Sequence, residues 1–144
     1  MAPDLTAKKL IARDSEDLNV FSALMQDAAL TPKDMGYDAA ARRFALTANR
    51  YIAEKGGFFK KPKGYRQRVG LHFNHVTKVQ QKGIDDRVPA LSLLAVRMEE
   101  ADEAATITLE FAGGATIQIM AECVDAVLTD MGEPWEAIAR PVHP

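Results

Sequence analysis

The chain has 144 residues, a length that predicts one domain over 1–144 with one core, and its 47% hydrophobic and 26% charged residues are those of an ordinary soluble globular protein. A formal net charge of −2 argues against a protein defined overall by polyanion binding, so any electrostatic function has to be local. The one cysteine, Cys123, excludes an intramolecular disulfide and a cysteine-rich zinc site within one chain; no stretch approaches the roughly eighteen apolar residues of a membrane span, and Met1 to Asp14 holds no apolar run of signal length. The expectation is a cytoplasmic protein with no membrane association.

Lys9 to Arg13 reads as a short strand. Asp14 or Ser15 then offers a helix cap, with Glu16 and Asp17 placed favourably beside the positive end of the helix dipole. Leu18, Phe21, Leu24, Met25 and Ala28 follow at helical spacing and predict about four turns, ending before Thr31-Pro32. Met35 and Tyr37 alternate, Asp38 to Arg43 forms a turn, and Phe44, Leu46 and Ala48 alternate on the far side, which predicts a hairpin.

From Tyr51 to Arg68 the pattern is broken by Gly56-Gly57, Pro62 and Gly64, and this is the longest predicted loop. From Val69 to Gln80 the odd positions Val69, Leu71, Phe73, His75, Thr77 and Val79 predict one long strand with its odd face inward, unless a bulge near Asn74 changes the assignment. Leu91 to Met98 is apolar on both faces, as a central strand would be. A connection through the acidic Glu99 to Glu103 then sets Met98 near Ile107 and Val96 near Leu109.

The segment from Thr106 to Ile119 carries the sharpest local signal. Ile107, Leu109 and Phe111 alternate before Ala112-Gly113-Gly114, and Ile117 and Ile119 alternate after it. A two-residue loop would put the apolar residues of the two strands on opposite faces, whereas a three-residue loop pairs Phe111 with Ala115, Leu109 with Ile117 and Ile107 with Ile119. The second register is predicted, with Gly114 free to take the left-handed conformation that ends such a loop.

Val124, Val127, Leu128 and Met131, at i, i+3, i+4 and i+7, predict a final helix stopped by Gly132 and Pro134, and residues 133–144 read as a proline-rich tail with Trp135 as its anchor. The fold expected from this order is α+β: a mostly antiparallel, strongly bent sheet or roll of six to seven strands with an N-terminal and a C-terminal helix, similar in element order to pleckstrin-homology-like rolls.

Two constellations carry candidate chemistry. Lys55, Lys60, Lys61, Lys63, Arg66 and Arg68 crowd a segment that also holds Phe58, Phe59 and Tyr65; clustered cations attract phosphates and aromatics stack on bases, so Lys60, Lys61, Lys63, Tyr65, Arg66 and Arg68 form a candidate ligand or anion site, against the plainer reading of a solvated loop whose aromatics tuck onto the core. His72 and His75 are acid/base candidates, but on a strand a separation of three sends them to opposite faces, so joint metal chelation needs a bulge and further ligands; a core or edge histidine is the plainer reading for His75. Cys123, at the start of the predicted last helix, has a lowered thiol pKa as its functional reading and packing beside the apolar stripe as its structural one. The carboxylates at Asp85-Asp86 and Glu99 to Glu103 read as loop solvation. The glycines lack a nucleotide fingerprint, and no metal or cofactor is predicted.

The phrases Gly70-Leu71-His72-Phe73, Gly83-Ile84-Asp85, Leu91-Ser92-Leu93-Leu94-Ala95, Phe111-Ala112-Gly113-Gly114 and Glu122-Cys123, with the ending Arg140-Pro141-Val142-His143-Pro144, resemble an alphaproteobacterial family of unknown function over almost the whole chain. The resemblance implies a small bacterial cytoplasmic protein and brings no activity, cofactor or catalytic residue. The leading expectation is therefore a non-enzymatic binding or interaction domain with a protein partner, touching it through the basic 55–68 loop or a sheet edge that would also permit a homodimer. Nucleic-acid or anionic-ligand binding through that loop is the alternative reading, less favoured, and a small-molecule-binding enzyme with a histidine acid/base is the third.

Overall fold

The computed structural model describes residues 5–53 and 64–138. In chain order these form β1 (Lys9–Ala12), α1 (Ser15–Met25), β2 (Ala28–Leu30), a short 3-10 turn (Pro32–Asp34), β3 (Met35–Asp38), β4 (Arg43–Ala53), β5 (Gly64–Phe73), β6 (Val76–Lys82), β7 (Leu91–Ala101), β8 (Ala104–Phe111), β9 (Thr116–Ala121) and β10 (Ala126–Glu136). All ten strands belong to one antiparallel sheet in the order β1-β10-β5-β4-β2-β7-β8-β9-β6, with β3 beside β2 along the same edge of β4.

Helix α1 begins where its capping chemistry says it should. The Asp14 side chain accepts the Asp17 N–H at 2.8 Å, and the Asp17 carboxylate accepts the Arg13 N–H at 3.0 Å. Leu18, Phe21 and Met25 are buried against the sheet. The helix is shorter than the apolar spacing predicts, because Asp27 adopts φ 69° and throws the chain out of the helix, so that Ala28 is buried as a strand residue. Strand β7 bulges against β8 between Leu93 and Ala95, and just beyond the bulge the Val96 N–H donates to Ser22 Oγ at 2.9 Å, tying α1 to the sheet.

The three predicted hairpins are present, and the two whose registers were predicted, β7–β8 and β8–β9, have them. Leu109 faces Ile117, Ile107 faces Ile119, and the Phe111 N–H donates to the Ala115 carbonyl across a loop whose Gly113 and Gly114 have φ 88° and 90°. Val96 pairs with Leu109 and Met98 with Ile107, while Met35 pairs with Leu46 and Tyr37 with Phe44.

The α+β roll of six to seven strands with two helices, and its pleckstrin-homology-like ending, are overturned. Among the described residues there are ten strands and one α-helix, and the segment read as the C-terminal helix is strand β10. Val124, Ala126 and Leu128 are buried in alternation, while Val127 and Met131, the residues that completed the helical stripe, lie on the other face. The β-branched Val127 and Thr129 suit a strand, and a bulge between Met131 and Trp135 absorbs Gly132 and Pro134 instead of ending the element. Residues 133–136, read as the start of the tail, therefore belong to β10.

The single long strand from Val69 is likewise two strands, broken at Asn74-His75, where His75 has φ 59°. Before the break Val69, Leu71 and Phe73 are buried; after it Val76 is, so the corner shifts the inward parity by one. It also carries the chain from one half of the sheet to the other: β5 lies between β10 and β4, whereas β6 pairs with β9. Phe21, Phe44, Phe73, Phe111, Leu93 and Ile107 are among the large side chains filling the core between the halves.

Candidate binding face and polar corner along strand β5

Both predicted groups of functional residues fall on β5 or its extension, at opposite ends. Lys60, Lys61 and Lys63, with Lys55, Phe58 and Phe59, lie outside the described residues. Tyr65, Arg66 and Arg68 open β5, but they are not one cluster. Tyr65 pairs with Ile52 and Glu136, while Arg66 and Arg68, at the opposite parity, pair with Tyr51 and Asn49 on β4 and with Trp135 and Met131 on β10.

Both arginines are held by internal contacts. Arg66 Nη1 donates to the carbonyls of Asp27 at 2.8 Å and Asn49 at 3.2 Å, and its guanidinium lies 5.1 Å from the Tyr51 ring centroid. Burial pushes its pKa down, partly offset by the charge of Asp27. Arg68 donates through Nη2 to Thr47 Oγ1 at 3.0 Å and through Nη1 to Asn49 Oδ1 at 3.4 Å.

Underneath them, Gln67 points into the protein and is buried. Its Nε2 donates to the carbonyls of Met131 at 3.0 Å and Gly132 at 3.2 Å, where the β10 bulge begins. Beside it, the Arg50 and Asp130 side chains, 4% and 0% exposed, form a bidentate pair.

On the solvent side of these same strands, apolar groups are left exposed. Trp135 beside Arg66 is 43% exposed and Met131 beside Arg68 is 46% exposed, the latter with its Sδ over Gly70. At the end of the sheet Ile11, paired with Val127, is 52% exposed. The outer surface of the other half is of different character: Thr108, Gln118 and Gln80 run across β8, β9 and β6, followed by Glu110, Thr116 and Lys82, and all of these but Glu110 line an open polar groove. One half of the sheet is thus polar outside, and the other is apolar and cationic.

The histidines mark the other end of β5, where the 39–42 turn, the Asn74-His75 break and the 122–125 turn meet. The N–H of Val76 donates to Arg42 O at 2.8 Å, that of Asn74 to Asp125 O at 2.8 Å and that of Glu122 to His75 O at 3.0 Å. His75 Nε2 lies 3.2 Å from Asp125 Oδ2, Arg43 Nε donates to Asn74 Oδ1 at 3.0 Å, and Arg42 pairs with Glu122. The Arg42 pair raises the arginine pKa and lowers that of Glu122. These contacts brace two left-handed residues, Arg42 and His75, so the corner accounts for its charges by holding a bend. Of the core or edge position expected for His75, the core is excluded: the residue is exposed at the corner beside Asp125. His72, half-buried on β5 between Ala45 and Val127, has its pKa pushed down by burial and by Arg43, with Asp125 opposing.

Cys123 is exposed in the 122–125 turn, so neither the helix-dipole argument nor the packing role predicted for it holds. Among the described residues no three His, Cys, Asp or Glu side chains gather where they could hold a metal ion, and no helix is long and apolar enough to cross a membrane. Sequence reasoning missed the apolar half of the face, because Met131 was assigned to a helix and Trp135 to a tail. The available signal was the period-two run Val124, Ala126, Leu128, Asp130, which places Val127, Thr129 and Met131 together on the opposite side.

Comparison with curated proteins and with solved structures finds no match. A family model described as "Protein of unknown function (DUF2948)" matches residues 8–143, and the chain, with its ten-stranded antiparallel sheet, belongs to that family.

Proposed function

We propose that this protein is a non-enzymatic binding domain of the cytoplasm whose contact surface is the outer face of β4, β5, β10 and β1. The observation that carries the reading is the pairing of exposed Trp135 and Met131 with the fixed Arg66 and Arg68 on a single sheet face, opposite in character to the polar outside of β8, β9 and β6. Trp, Met and Arg are the residue types enriched where proteins meet partners, and a contiguous exposed apolar patch marks such a site more than scattered apolar residues do. The arginines are ordered before any partner arrives, which lowers the entropy cost of binding.

The test compares what co-purifies with the tagged protein, with Trp135→Ser/Met131→Ser and with Gln80→Ser/Thr108→Ser on the polar half. Both pairs are away from the core, so the variants keep the wild-type melting temperature. Loss of the co-purifying species in the first variant alone is expected. Equal recovery from all three would refute the face.

A further inference from the structure

Resting on that reading, we infer that the ligand of this face is single-stranded nucleic acid, read without sequence preference by stacking and by phosphate contact. Three features of the face point there. The first is its charge. At the outward positions in register across β1, β10, β5 and β4 stand Lys9, Arg66 and Arg68, with the titratable His72, and no carboxylate; Glu133 lies within the β10 bulge. Cations also stand on β6 of the polar half, at Lys78 and Lys82, and the Asp27 charge acts on Arg66, so what sets this face apart is cations beside exposed Trp135 and Met131, a combination that suits a polyanion carrying apolar rings.

The second is the aromatic surface. Trp135 is partly exposed on β10 in register with Arg66, whose guanidinium lies over Tyr51 on the β4 side, so this end of the face carries an indole and a guanidinium stacked on a ring. Every base has a π-face, so such planes hold nucleotides whatever their sequence. An acidic peptide would satisfy the cations and leave the planes unused.

The third is spacing and order. Arg66 and Arg68 alternate along one strand and so project about 6.6 Å apart, a step that successive phosphates of an extended single strand can follow. Both are anchored on their inner side, Arg66 by the Asp27 and Asn49 carbonyls and Arg68 by Thr47 and Asn49, and the Nε of each carries no hydrogen bond to a described residue. In the next row Gly70 stands between Thr47 and Thr129, and the Met131 thioether reaches over it, adding an apolar contact beside the arginines.

Trp135 is the only tryptophan of the chain, so the intrinsic fluorescence of the intact protein reports on this face directly. Titration with oligothymidylate is expected to quench it saturably, with an affinity that falls as salt is added, by a slope of about 0.7 per phosphate-contacting cation. With a labelled oligothymidylate followed by anisotropy, Trp135→Ala weakens binding about tenfold, and Lys9→Gln/Arg68→Gln reduces the salt slope by about 1.4. Lys78→Gln/Lys82→Gln, which removes the same charge from β6 on the polar half, leaves both quantities unchanged. Absence of quenching, or equal weakening by the β6 pair, overturns the inference. If oligothymidylate fails to bind while Trp135→Ser/Met131→Ser still loses its co-purifying species, the nucleic-acid ligand is wrong and the binding face stands; if that variant also retains everything the wild type recovers, both fall.

Discussion

Arg50 and Asp130 meet beneath the proposed binding face as a bidentate ion pair, Nε to Oδ1 at 2.9 Å and Nη2 to Oδ2 at 2.8 Å, shut away from solvent. The pair joins β4 to β10 across β5, and Asp130 Oδ2 also accepts the Lys8 N–H at 2.9 Å just before β1. Asp130→Ala leaves a buried guanidinium without its partner and is expected to cost about 3–5 kcal/mol, read from urea denaturation. Arg50→Met/Asp130→Leu removes both charges and should recover most of that loss. A double variant as unstable as Asp130→Ala would contradict the account.

Gly64 begins β5 directly under the Tyr51 ring, so closely that a Cβ there would run into the phenol. Packing an aromatic over a strand glycine replaces the side chain the glycine lacks. Gly64→Ala is expected to cost roughly 1–3 kcal/mol, and its effect should shrink in a Tyr51→Ala background, giving a measurable coupling in a double-mutant cycle. Additive effects would mean that the ring does not rest on this glycine.

Gly114→Ala forces φ 90° on an L side chain and should cost about 1–3 kcal/mol, although nothing lies within 4 Å of the added carbon. Gly36, in β3, has equal space and no positive φ, so Gly36→Ala should be neutral or slightly stabilising. Thermal unfolding of the two variants isolates the turn conformation from crowding.

His72 gives the protein a specific acid sensitivity. Its folded pKa lies below the ordinary value of 6.5 because burial, then Arg43, disfavours the imidazolium. The unfolded chain therefore takes up the proton first: stability is complete above pH 6.5 and is lost as pH falls from there through the depressed folded value. His72→Gln should flatten the stability profile just below pH 6.5. The losses due to Glu122 and Asp85, whose pKa values are held low by Arg42 and Arg87, begin only below 4.5 and 3.8, and should remain in the variant. An unchanged slope below pH 6.5 in His72→Gln would show that His72 carries no such penalty.

Local chemistry made part of this fold legible from the residues alone. The register of the 106–119 hairpin followed from alternation on both sides of Gly113-Gly114, and the start of α1 followed from Asp14 and the acidic first turn, because in both cases the determining residues are neighbours in sequence. The C-terminal strand was illegible for a physical reason. Val124, Val127, Leu128 and Met131 satisfy the helical period, and the choice is made by distant strands: β5, whose ladder captures Ala126 and Leu128, and β4, whose buried Arg50 captures Asp130. The Asn74-His75 corner was equally hidden, since its bend is fixed by residues 42, 122 and 125. Of the candidate site, Arg66, Arg68 and the histidines were visible as residue types, whereas the faces they share and the apolar groups beside them came from strand pairing between residues more than fifty positions apart.

The most direct test of the binding face is site-specific photo-cross-linking, with a benzophenone amino acid placed at position 135 on the apolar, cationic half or at position 80 on the polar half, and irradiation in cell extract. A discrete adduct from position 135 and none from position 80 is the predicted result. An adduct from position 80 alone, or none from 135 under conditions where the co-purifying species is retained, would contradict the account.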